Sequence, residues 1–447
     1  MKPLIMTMSG TRGIIGENLY PNIAVNIAAA FGSYVKKGPV IVGGDTRVSY
    51  EMLKNAVISG LIAVGIDVID IGKVPTPTVQ HLIKHYNAQG GIVITASHNP
   101  IMWNGIKLMN KTGSFLDEAE YAEYIDFYNN LGKIKYVEWD KLGKVTIEEK
   151  ALEIHIDRIL ANIDVSSIQK SNLKVLVDPN NGTGCLANPI LFEKLGIEYK
   201  MINEIGNGRF AHNPEPAKSN VDGIIEELKK GDYDIGFVQD ADADRLVILD
   251  ENGVFIGEDY SLALGIDYIL STIKEPDKNV VVNLSTSLVI EAIAKKYNAK
   301  VTYTKVGEAN VTQGIKDLGA QVGGEGNGGV IYPKVGWGRD SLVGIIIALK
   351  YLAESKKTVS KIVSDYPKYV MLREKVEVGS RKEIDALLQK AKANFNGTPV
   401  NDLDGLKFSL EDAWAHIRPS NTEPIVRIFI EAKTKELAES LFRKINS

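Results

Sequence analysis

Three aspartates that alternate with alanines form the strongest chemical signal in the chain. Asp240, Asp242 and Asp244 follow the apolar run DYDIGFV at 232–238, and Arg245 comes directly after them. Three carboxylates this close together repel one another unless a hard cation lies among them, and carboxylate oxygens suit Mg²⁺ or Ca²⁺. We therefore predict a magnesium site on a loop that follows a strand.

Two other interpretations of these three residues, which we call the aspartate cluster, are weaker. A calcium-binding loop fits in part, because Glu251 is the twelfth residue counted from Asp240. It fails at the sixth position, where Arg245 replaces the turn glycine, and a strand rather than a helix precedes the loop. A solvated acidic turn is the remaining alternative, and the regular alanines with the trailing arginine argue against it.

A second signal is the serine in the segment TASHNP at 95–100, which we call the serine loop. It follows the apolar run GGIVI at 90–94, and Asn-Pro marks a turn, so Ser97 should lie exposed at the carboxyl end of a strand. Ligands bind at that edge of α/β sheets. The flanking residues do not match G-x-S-x-G, so a hydrolase is not indicated. A serine near magnesium and cations is a natural phosphoryl acceptor, and the alternative is an ordinary loop serine.

The residue after this serine is a histidine, His98. Side chains of neighbouring residues usually diverge, so we expect the imidazole to point away from the Ser97 hydroxyl. On the residues alone, His98 is therefore a poor candidate for the base that activates Ser97.

Two further segments carry groups that suit a phosphorylated sugar. The arginine loop, RPSNTEP at 418–424, joins a cation to hydroxyls, an amide and backbone N–H groups in a turn, and so predicts an anion site. The glycine loop, GGEGNGG at 323–329, allows close backbone approach to a ligand, and its carboxylate and amide suit sugar hydroxyls. It does not match the dinucleotide pattern G-x-G-x-x-G. A plain surface turn and a flexible loop are the respective alternatives.

Other cations in polar segments are each, taken alone, better explained as salt-bridged structural residues than as ligand contacts. They are Arg12, Arg47, Lys305 and Arg339.

The elements that must position these residues follow a recurring pattern. An apolar strand, a turn, an amphipathic helix and a second apolar strand begin near 39, 173 and 278, which predicts three α/β domains with largely parallel sheets. Helix breaks at Gly65, Gly196 and Asn298 fit left-handed caps. Beyond residue 370 the strands and helices predict a smaller α+β domain. The predicted domains are 1–150, 151–253, 254–369 and 370–447.

Composition excludes several classes of protein. The 447 residues carry 52 Lys and Arg against 56 Asp and Glu, without a basic stripe, so we expect no nucleic-acid partner. No apolar run reaches the length of a membrane span, so we expect no membrane partner. Cys185 is the only cysteine, which fits a reducing compartment and predicts a cytoplasmic protein.

The motifs TASHNP, D-x-D-x-D-R, G-E-x-x-G and R-x-S-N-T-E-P, in this order, resemble those of the α-D-phosphohexomutase family over essentially the whole chain. The resemblance implies four domains around one central cleft, each lending one loop. It implies that Ser97 is carried as phosphoserine and that its phosphate, with the aspartate cluster, holds Mg²⁺.

The resemblance also implies roles for other residues. Positions around the reacting phosphate, with acid, base or electrostatic roles, are matched by Arg12, His98, Lys107 and Arg245. Positions that contact the sugar ligand are matched by Lys305, Glu325 and Asn327. Positions that bind the distal, unreacting phosphate are matched by Arg418, Ser420, Asn421, Thr422 and Arg427.

The glycine loop departs from the G-E-M-S-G-H and G-E-Q-S-G-H forms of many members. This loop and the segment HNPEP at 212–216 look most like the branch that acts on glucosamine phosphates. The resemblance thus implies interconversion of glucosamine 6-phosphate and glucosamine 1-phosphate through a hexose 1,6-bisphosphate, which is also the activator. The alternative within the family is broad activity on mannose and glucose phosphates.

Two other classes of protein are alternatives to a phosphohexomutase. A metal-dependent phosphatase would leave the predicted distal-phosphate site unexplained. A non-catalytic phosphosugar-binding protein would not need Ser97, the aspartates and Arg245 together, and all are present. For the assembly, we expect a monomer or a homodimer.

Overall fold

The computed structural model describes residues 4–378, 380–419 and 425–446. The first domain holds a seven-stranded sheet. Its strands are β1 (Ile5–Thr7), β2 (Gly10–Ile14), β3 (Val40–Gly44), β4 (Val68–Lys73), β5 (Gly90–Ile94), β6 (Trp103–Asn110) and β7 (Val145–Ile147). Its helices are α1 (Pro21–Val35), α2 (Tyr50–Ala63), α3 (Thr76–His85) and α4 (Glu118–Asn129), followed by a 3₁₀ turn at Leu131–Lys133. The strand order β1-β2-β6-β5-β3-β4-β7 is parallel from β5 to β7 and antiparallel elsewhere.

The second domain holds a four-stranded sheet. Its strands are β8 (Lys174–Asp178), β9 (Glu198–Met201), β10 (Ile235–Gln239) and β11 (Leu246–Leu249), in the order β11-β10-β8-β9. Its helices are α5 (Ala151–Asn162), α6 (Ser166–Gln169), α7 (Gly184–Leu195) and α8 (Asp222–Leu228), with a 3₁₀ turn at Lys218–Asn220. Only the edge strand β11 is antiparallel to its neighbour.

The third domain repeats this plan. Its strands are β12 (Asn279–Asn283), β13 (Lys300–Thr304), β14 (Val322–Glu325) and β15 (Gly329–Ile331), in the order β13-β12-β14-β15. Its helices are α9 (Glu258–Thr272), α10 (Val289–Lys296), α11 (Glu308–Leu318), α12 (Ser341–Ser355) and α13 (Val359–Ser364). Again only the edge strand, β15, is antiparallel.

The fourth domain is built differently, around an antiparallel sheet. Its strands are β16 (Val370–Glu377), β17 (Val400–Asn401), β18 (Leu406–Ser409), β19 (Ala413–Pro419) and β20 (Ile425–Ala432), in the order β16-β20-β19-β18-β17. Its helices are α14 (Arg381–Asn394) and α15 (Lys435–Asn446). Its apolar core contains residues of this domain alone, whereas the second and third domains share one continuous core.

These sheets confirm the predicted fold class. The recurring strand–helix–strand unit gives the parallel pairs β3–β4, β8–β9 and β12–β13. Gly65, Gly196 and Asn298 all have φ between 54° and 78°, as left-handed helix ends require. Because β7 completes the first sheet, we propose a boundary at 150/151. The boundaries 253/254 and 369/370 are likewise proposals.

The first three domains meet at a buried polar cluster. His155 Nε2 of α5 lies 2.9 Å from Asp340 Oδ2, and the His81 ring of α3 stacks on His155 with centroids 4.3 Å apart. Asp340 also caps α12 by accepting from the backbone N–H of Leu342 at 2.9 Å. This polar cluster therefore connects one helix from each of the first three domains.

Buried polar groups join the fourth domain to the third. Glu431 of β20 accepts from the backbone N–H of Leu288, at the start of α10, at 2.7 Å. His416 of β19 lies 2.9 Å from the Ser285 hydroxyl through Nδ1. Among the helices of the residues described above, none is long and apolar enough to cross a membrane.

Candidate active site

A cleft of about 620 Å³ lies between the four domains. Its lining side chains include seven cations, which are Arg12, Lys107, Arg245, Arg339, Arg373, Arg418 and Arg427. Among the described residues, the carboxylates that line the cleft are four, Glu215, Glu258, Glu308 and Glu325. The excess of positive charge favours an anionic ligand.

Ser97 lies at the carboxyl end of β5 and lines this cleft, as its sequence position predicts. Its hydroxyl donates a hydrogen bond to Asp240 Oδ2 at 3.0 Å. Its φ is 51°, in the left-handed region that a non-glycine residue adopts at a cost, so the surrounding contacts must hold it there. Contrary to expectation the residue is buried, because its side chain faces the aspartate cluster.

Arg47 holds the serine loop in this conformation. The guanidinium donates to the backbone carbonyls of Ser97, Asn99, Pro100 and Trp103 at 2.6–2.9 Å. Arg47 Nε also lies 3.0 Å from Asp45 Oδ2, in an ion pair whose side chains are both 0% exposed. This confirms Arg47 as a structural, salt-bridged cation.

Replacing Arg47 with methionine should leave the Asp45 carboxylate and several carbonyls buried without partners. We expect the free energy of unfolding to fall by about 3–5 kcal/mol, measured by denaturant titration. The matched control is Arg381→Met, which removes an exposed pair with Asp385 and should change the free energy by less than about 0.5 kcal/mol. Equal effects for the two variants would contradict the structural role of Arg47.

His98 corrects one expectation from the sequence. Its Nδ1 lies 3.3 Å from Ser97 Oγ, although adjacent side chains usually diverge. The left-handed backbone at Ser97 changes the direction of the chain and brings the two side chains together. Burial, with the charges of Arg245 and Arg12, holds the His98 pKa well below its usual value.

The aspartate cluster lies on the loop between β10 and β11 and is fully buried. One carboxylate oxygen of each residue lies within 4.8 Å of the others. Lys107, on β6 of the first domain, reaches across to Asp242 Oδ2 at 2.7 Å and to Asp244 Oδ2 at 3.6 Å. The Lys107 ammonium therefore neutralises part of the negative charge of the aspartate cluster and lies within hydrogen-bonding distance of Asp242.

Two oxygens of the cluster fit a metal ion. Within the described residues, Asp242 Oδ1 and Asp244 Oδ1 are buried and have no hydrogen-bond partner. Burial and the charges of Asp244 and Asp242 raise the pKa of Asp240 well above its usual value, so a cation bound among the three carboxylates would be stabilising. Unpartnered carboxylate oxygens are the ligands that Mg²⁺ prefers, so this group could hold a metal.

Two arginines stand beside Ser97. Arg12, on β2, donates from Nη1 to Asn99 Oδ1 of the serine loop at 3.1 Å. Arg245 Nη1 lies 3.7 Å from Glu215 Oε1. Burial and the charge of Arg245 lower the pKa of Arg12, which indicates two cations crowded around one space. That space suits a phosphate group.

The glycine loop is a tight hairpin formed by the end of β14, a turn and the start of β15, with Gly328 at φ +90°. Glu325 and Asn327 both line the cleft. Glu325 Oε1 accepts from Asn283 Nδ2 and from the backbone N–H of Gly307, each at 2.9 Å. Lys305 is exposed just after β13 and is not among the described side chains that line the cleft.

Arg418 and Arg427 lie directly opposite each other on β19 and β20. Both line the cleft, and Arg418 Nε lies 3.0 Å from Asp404 Oδ2. Like charges at opposed positions destabilise a sheet, so an anion between them would be stabilising. The other predicted members of this group, Ser420, Asn421 and Thr422, lie outside the described residues.

Arg373 and Arg339 also line the cleft. Arg373 lies in none of the predicted motifs, and Arg339 is predicted from the sequence only as a salt-bridged cation. Arg373, on β16, pairs with Glu258 at 3.2 Å and so links the fourth domain to the third. Its register opposite Phe429 places it on the cleft face of the sheet. The alternation of side chains along β16 could have indicated this face, but not which ligand it meets.

A four-domain fold around a cationic cleft, with a serine against a carboxylate cluster, defines the class of phosphohexomutases. The four domain models of the phosphoglucomutase/phosphomannomutase family match this chain. Alpha/beta/alpha domains I, II and III match residues 4–133, 153–253 and 257–369, and the C-terminal domain matches 374–446. The chain belongs to this family, whose members are mutases.

Relatives carry two kinds of name. A protein of Thermococcus kodakarensis named phosphoglucomutase/phosphomannomutase is 40% identical, over 96% of this chain and 94% of its own length. A protein of Methanopyrus kandleri named probable phosphoglucosamine mutase is 36% identical, over 97% of this chain and 95% of its own length. The crystal structure of a phosphoglucomutase/phosphomannomutase family protein from Burkholderia thailandensis is similar, with a TM-score of 0.85, 26% identity and coverage of 99% and 97%.

Proposed function

We propose that the protein interconverts glucosamine 6-phosphate and glucosamine 1-phosphate, with Ser97 as the residue that donates and accepts the phosphoryl group. The observation that carries the proposal is the Ser97 hydroxyl, 3.0 Å from Asp240 in a cleft that also contains the Arg418 and Arg427 pair. The cleft thereby combines a phosphoryl acceptor with a second anion site. A sugar that carries one phosphate and receives another needs both.

The proposed reaction starts with phosphorylated Ser97. A hydroxyl oxygen of the phosphosugar forms a bond to the phosphorus, the bond from phosphorus to Ser97 Oγ breaks, and the hydroxyl proton passes to a base in the cleft. The product is a hexose 1,6-bisphosphate, which serves as intermediate and activator. After it turns over in the cleft, its other phosphoryl group returns to Ser97, and the net result is the isomeric monophosphate.

The aspartate cluster and an oxygen of the Ser97 phosphate would hold Mg²⁺, which when bound stabilises the negative charge of the transferred group. Positioning and neutralisation of this charge provide most of the catalysis in phosphoryl transfer. Around the reacting phosphate we assign acid, base or electrostatic roles to Arg12, His98, Lys107 and Arg245.

The remaining assignments concern the bound sugar. Glu325 and Asn327 would contact its hydroxyl or amino groups, and Lys305 would contact the ligand. The distal phosphate would be bound by Arg418, Ser420, Asn421, Thr422 and Arg427. A cytoplasmic location and a monomer or homodimer stay predictions.

The choice of sugar is supported by the Methanopyrus kandleri relative and by the glycine loop. The Thermococcus kodakarensis relative favours a second candidate, a phosphomannomutase/phosphoglucomutase of broad hexose specificity. Both candidates use the same reaction, so they differ only in contacts to the sugar ring.

The two candidates are separated by kcat/KM for glucosamine 6-phosphate, mannose 6-phosphate and glucose 1-phosphate, with Mg²⁺ and a trace of the bisphosphate. We expect glucosamine 6-phosphate to be preferred by about tenfold or more, which corresponds to roughly 1.4 kcal/mol at the transition state. Comparable values for all three would assign broad specificity. Free phosphate formed faster than any isomer would instead indicate a phosphatase.

A further inference from the structure

Arg339 occupies the floor of the cleft, where the aspartate cluster meets the glycine loop, and is 7% exposed. Its Nη2 donates to Asp244 Oδ2 at 2.7 Å, and its Nε donates to Glu308 Oε2 at 2.8 Å. Its Nη1 lies 3.0 Å from both Glu325 Oε2 and Asn327 Oδ1. All three nitrogens are therefore engaged, and one planar group contacts the candidate metal site and the candidate sugar site together.

The contact with Asp244 is specific in its geometry. Arg339 donates to Oδ2. The other oxygen, Oδ1, has no hydrogen-bond partner among the described residues and lies 4.0 Å from Arg245 Nε, so it is available to a metal ion. The same guanidinium holds Glu325, the only carboxylate of the glycine loop. A planar guanidinium fixes the relative positions of its acceptors, which a lysine ammonium does not.

Gly329, at the end of the glycine loop, leaves space for the side chain of Arg339. A Cβ at Gly329 would lie 2.2 Å from Arg339 Cδ, 2.8 Å from Cγ and 3.0 Å from Cβ. These atoms form the stem of a side chain whose far end is held by four acceptors. A larger residue at 329 would therefore displace the guanidinium and its contacts.

We propose that Arg339 is a positioning residue that couples the metal site to the sugar site, and that Gly329 provides the space its stem needs. The inference deepens the proposed function, because it rests on Glu325 and Asn327 contacting the sugar. A purely structural arginine would affect stability alone. The coupling role requires metal affinity and sugar recognition to change together.

The first test measures Mg²⁺ affinity by calorimetry without any sugar, alongside KM and kcat for glucosamine 6-phosphate and the thermal midpoint of unfolding. Arg339→Gln should weaken Mg²⁺ binding by about 10- to 100-fold and raise KM. Arg339→Lys should restore part of the metal affinity and less of the sugar recognition, since one ammonium cannot reach all four acceptors.

The matched control is Arg373→Gln. Arg373 also lines the cleft and pairs with Glu258 and Asp259, but no contact of its own reaches the aspartate cluster among the described residues. Its Mg²⁺ affinity should stay within about twofold of the parent protein. The proposal would be overturned if Arg339→Gln lowered the thermal midpoint while Mg²⁺ affinity and KM kept their parent values.

The second test is a double-mutant cycle with Gly329→Ala and Arg339→Ala, read by Mg²⁺ affinity. Gly329→Ala alone should weaken Mg²⁺ binding nearly as much as Arg339→Ala. The double variant should match Arg339→Ala, because Cδ and Cγ, the two atoms that the new methyl group would strike most closely, are gone. Additive losses, or a Gly329→Ala variant with parent affinity, would contradict the pairing. If the metal affinities follow the cycle while no sugar phosphate is isomerised, the proposed function fails and the link between Arg339 and the metal site stands.

Discussion

Replacing Ser97 with alanine is expected to lower kcat by roughly 10⁴-fold or more, because it removes the atom that carries the phosphoryl group. Binding of the phosphosugar should survive, since the arginines of the cleft remain. The measurement is the steady-state rate of isomerisation, together with the Kd for glucosamine 6-phosphate from calorimetry.

The matched control is Ser59→Ala, which removes an exposed hydroxyl on α2 that donates to the backbone carbonyl of Asn55 in the same helix. It should leave both kcat and Kd unchanged. A Ser97→Ala variant with near-parent turnover would remove the basis for a phosphoserine, whatever the hexose preference proves to be.

Replacing Asp242 with asparagine is expected to have the second large effect on catalysis. This change replaces a charged candidate metal ligand and weakens the 2.7 Å contact with Lys107. We expect kcat to fall by more than about 100-fold and the Mg²⁺ dependence of the rate to move to much higher concentrations, since even indirect partners of a metal contribute 10- to 100-fold. The measurement is a Mg²⁺ titration of the initial rate, with direct Mg²⁺ binding by calorimetry.

Asp126→Asn serves as the control for this change, because Asp126 is an exposed carboxylate paired with Lys133 on the surface. Its Mg²⁺ titration should overlay that of the parent protein. If Asp242→Asn also overlaid it, the aspartate cluster would not be the metal site.

The fold could be predicted from the sequence because the patterns that indicate its strands and helix ends are local. Val/Ile runs such as 40–42 and 280–282 are buried on both faces, and positive φ values occur where Gly65, Gly196 and Asn298 interrupt the pattern. The antiparallel strands β2 and β6 were not predicted, because their pairing joins residues about 90 positions apart and has no local signature.

Only part of the candidate site could be predicted from the sequence. The types and spacing of Ser97 and the aspartates indicate their chemistry, but the contact between His98 and Ser97 depends on a left-handed backbone that sequence spacing does not reveal. The sequence predicts a salt-bridged cation at Arg339, and the ion pairs with Asp244 and Glu325 agree with this, yet the position of Arg339 between two loops is a tertiary property. Such contacts require the relative placement of whole domains.

The most direct test of the account is a single turnover. The protein is labelled at Ser97 with radioactive phosphate from a hexose 1,6-bisphosphate, freed of excess ligand, and mixed with an equal amount of glucosamine 6-phosphate and Mg²⁺. The account predicts that the label leaves the protein, appears in glucosamine 1,6-bisphosphate and is then shared with the monophosphates. Label that stays on the protein, or that appears as inorganic phosphate without any bisphosphate, would contradict it.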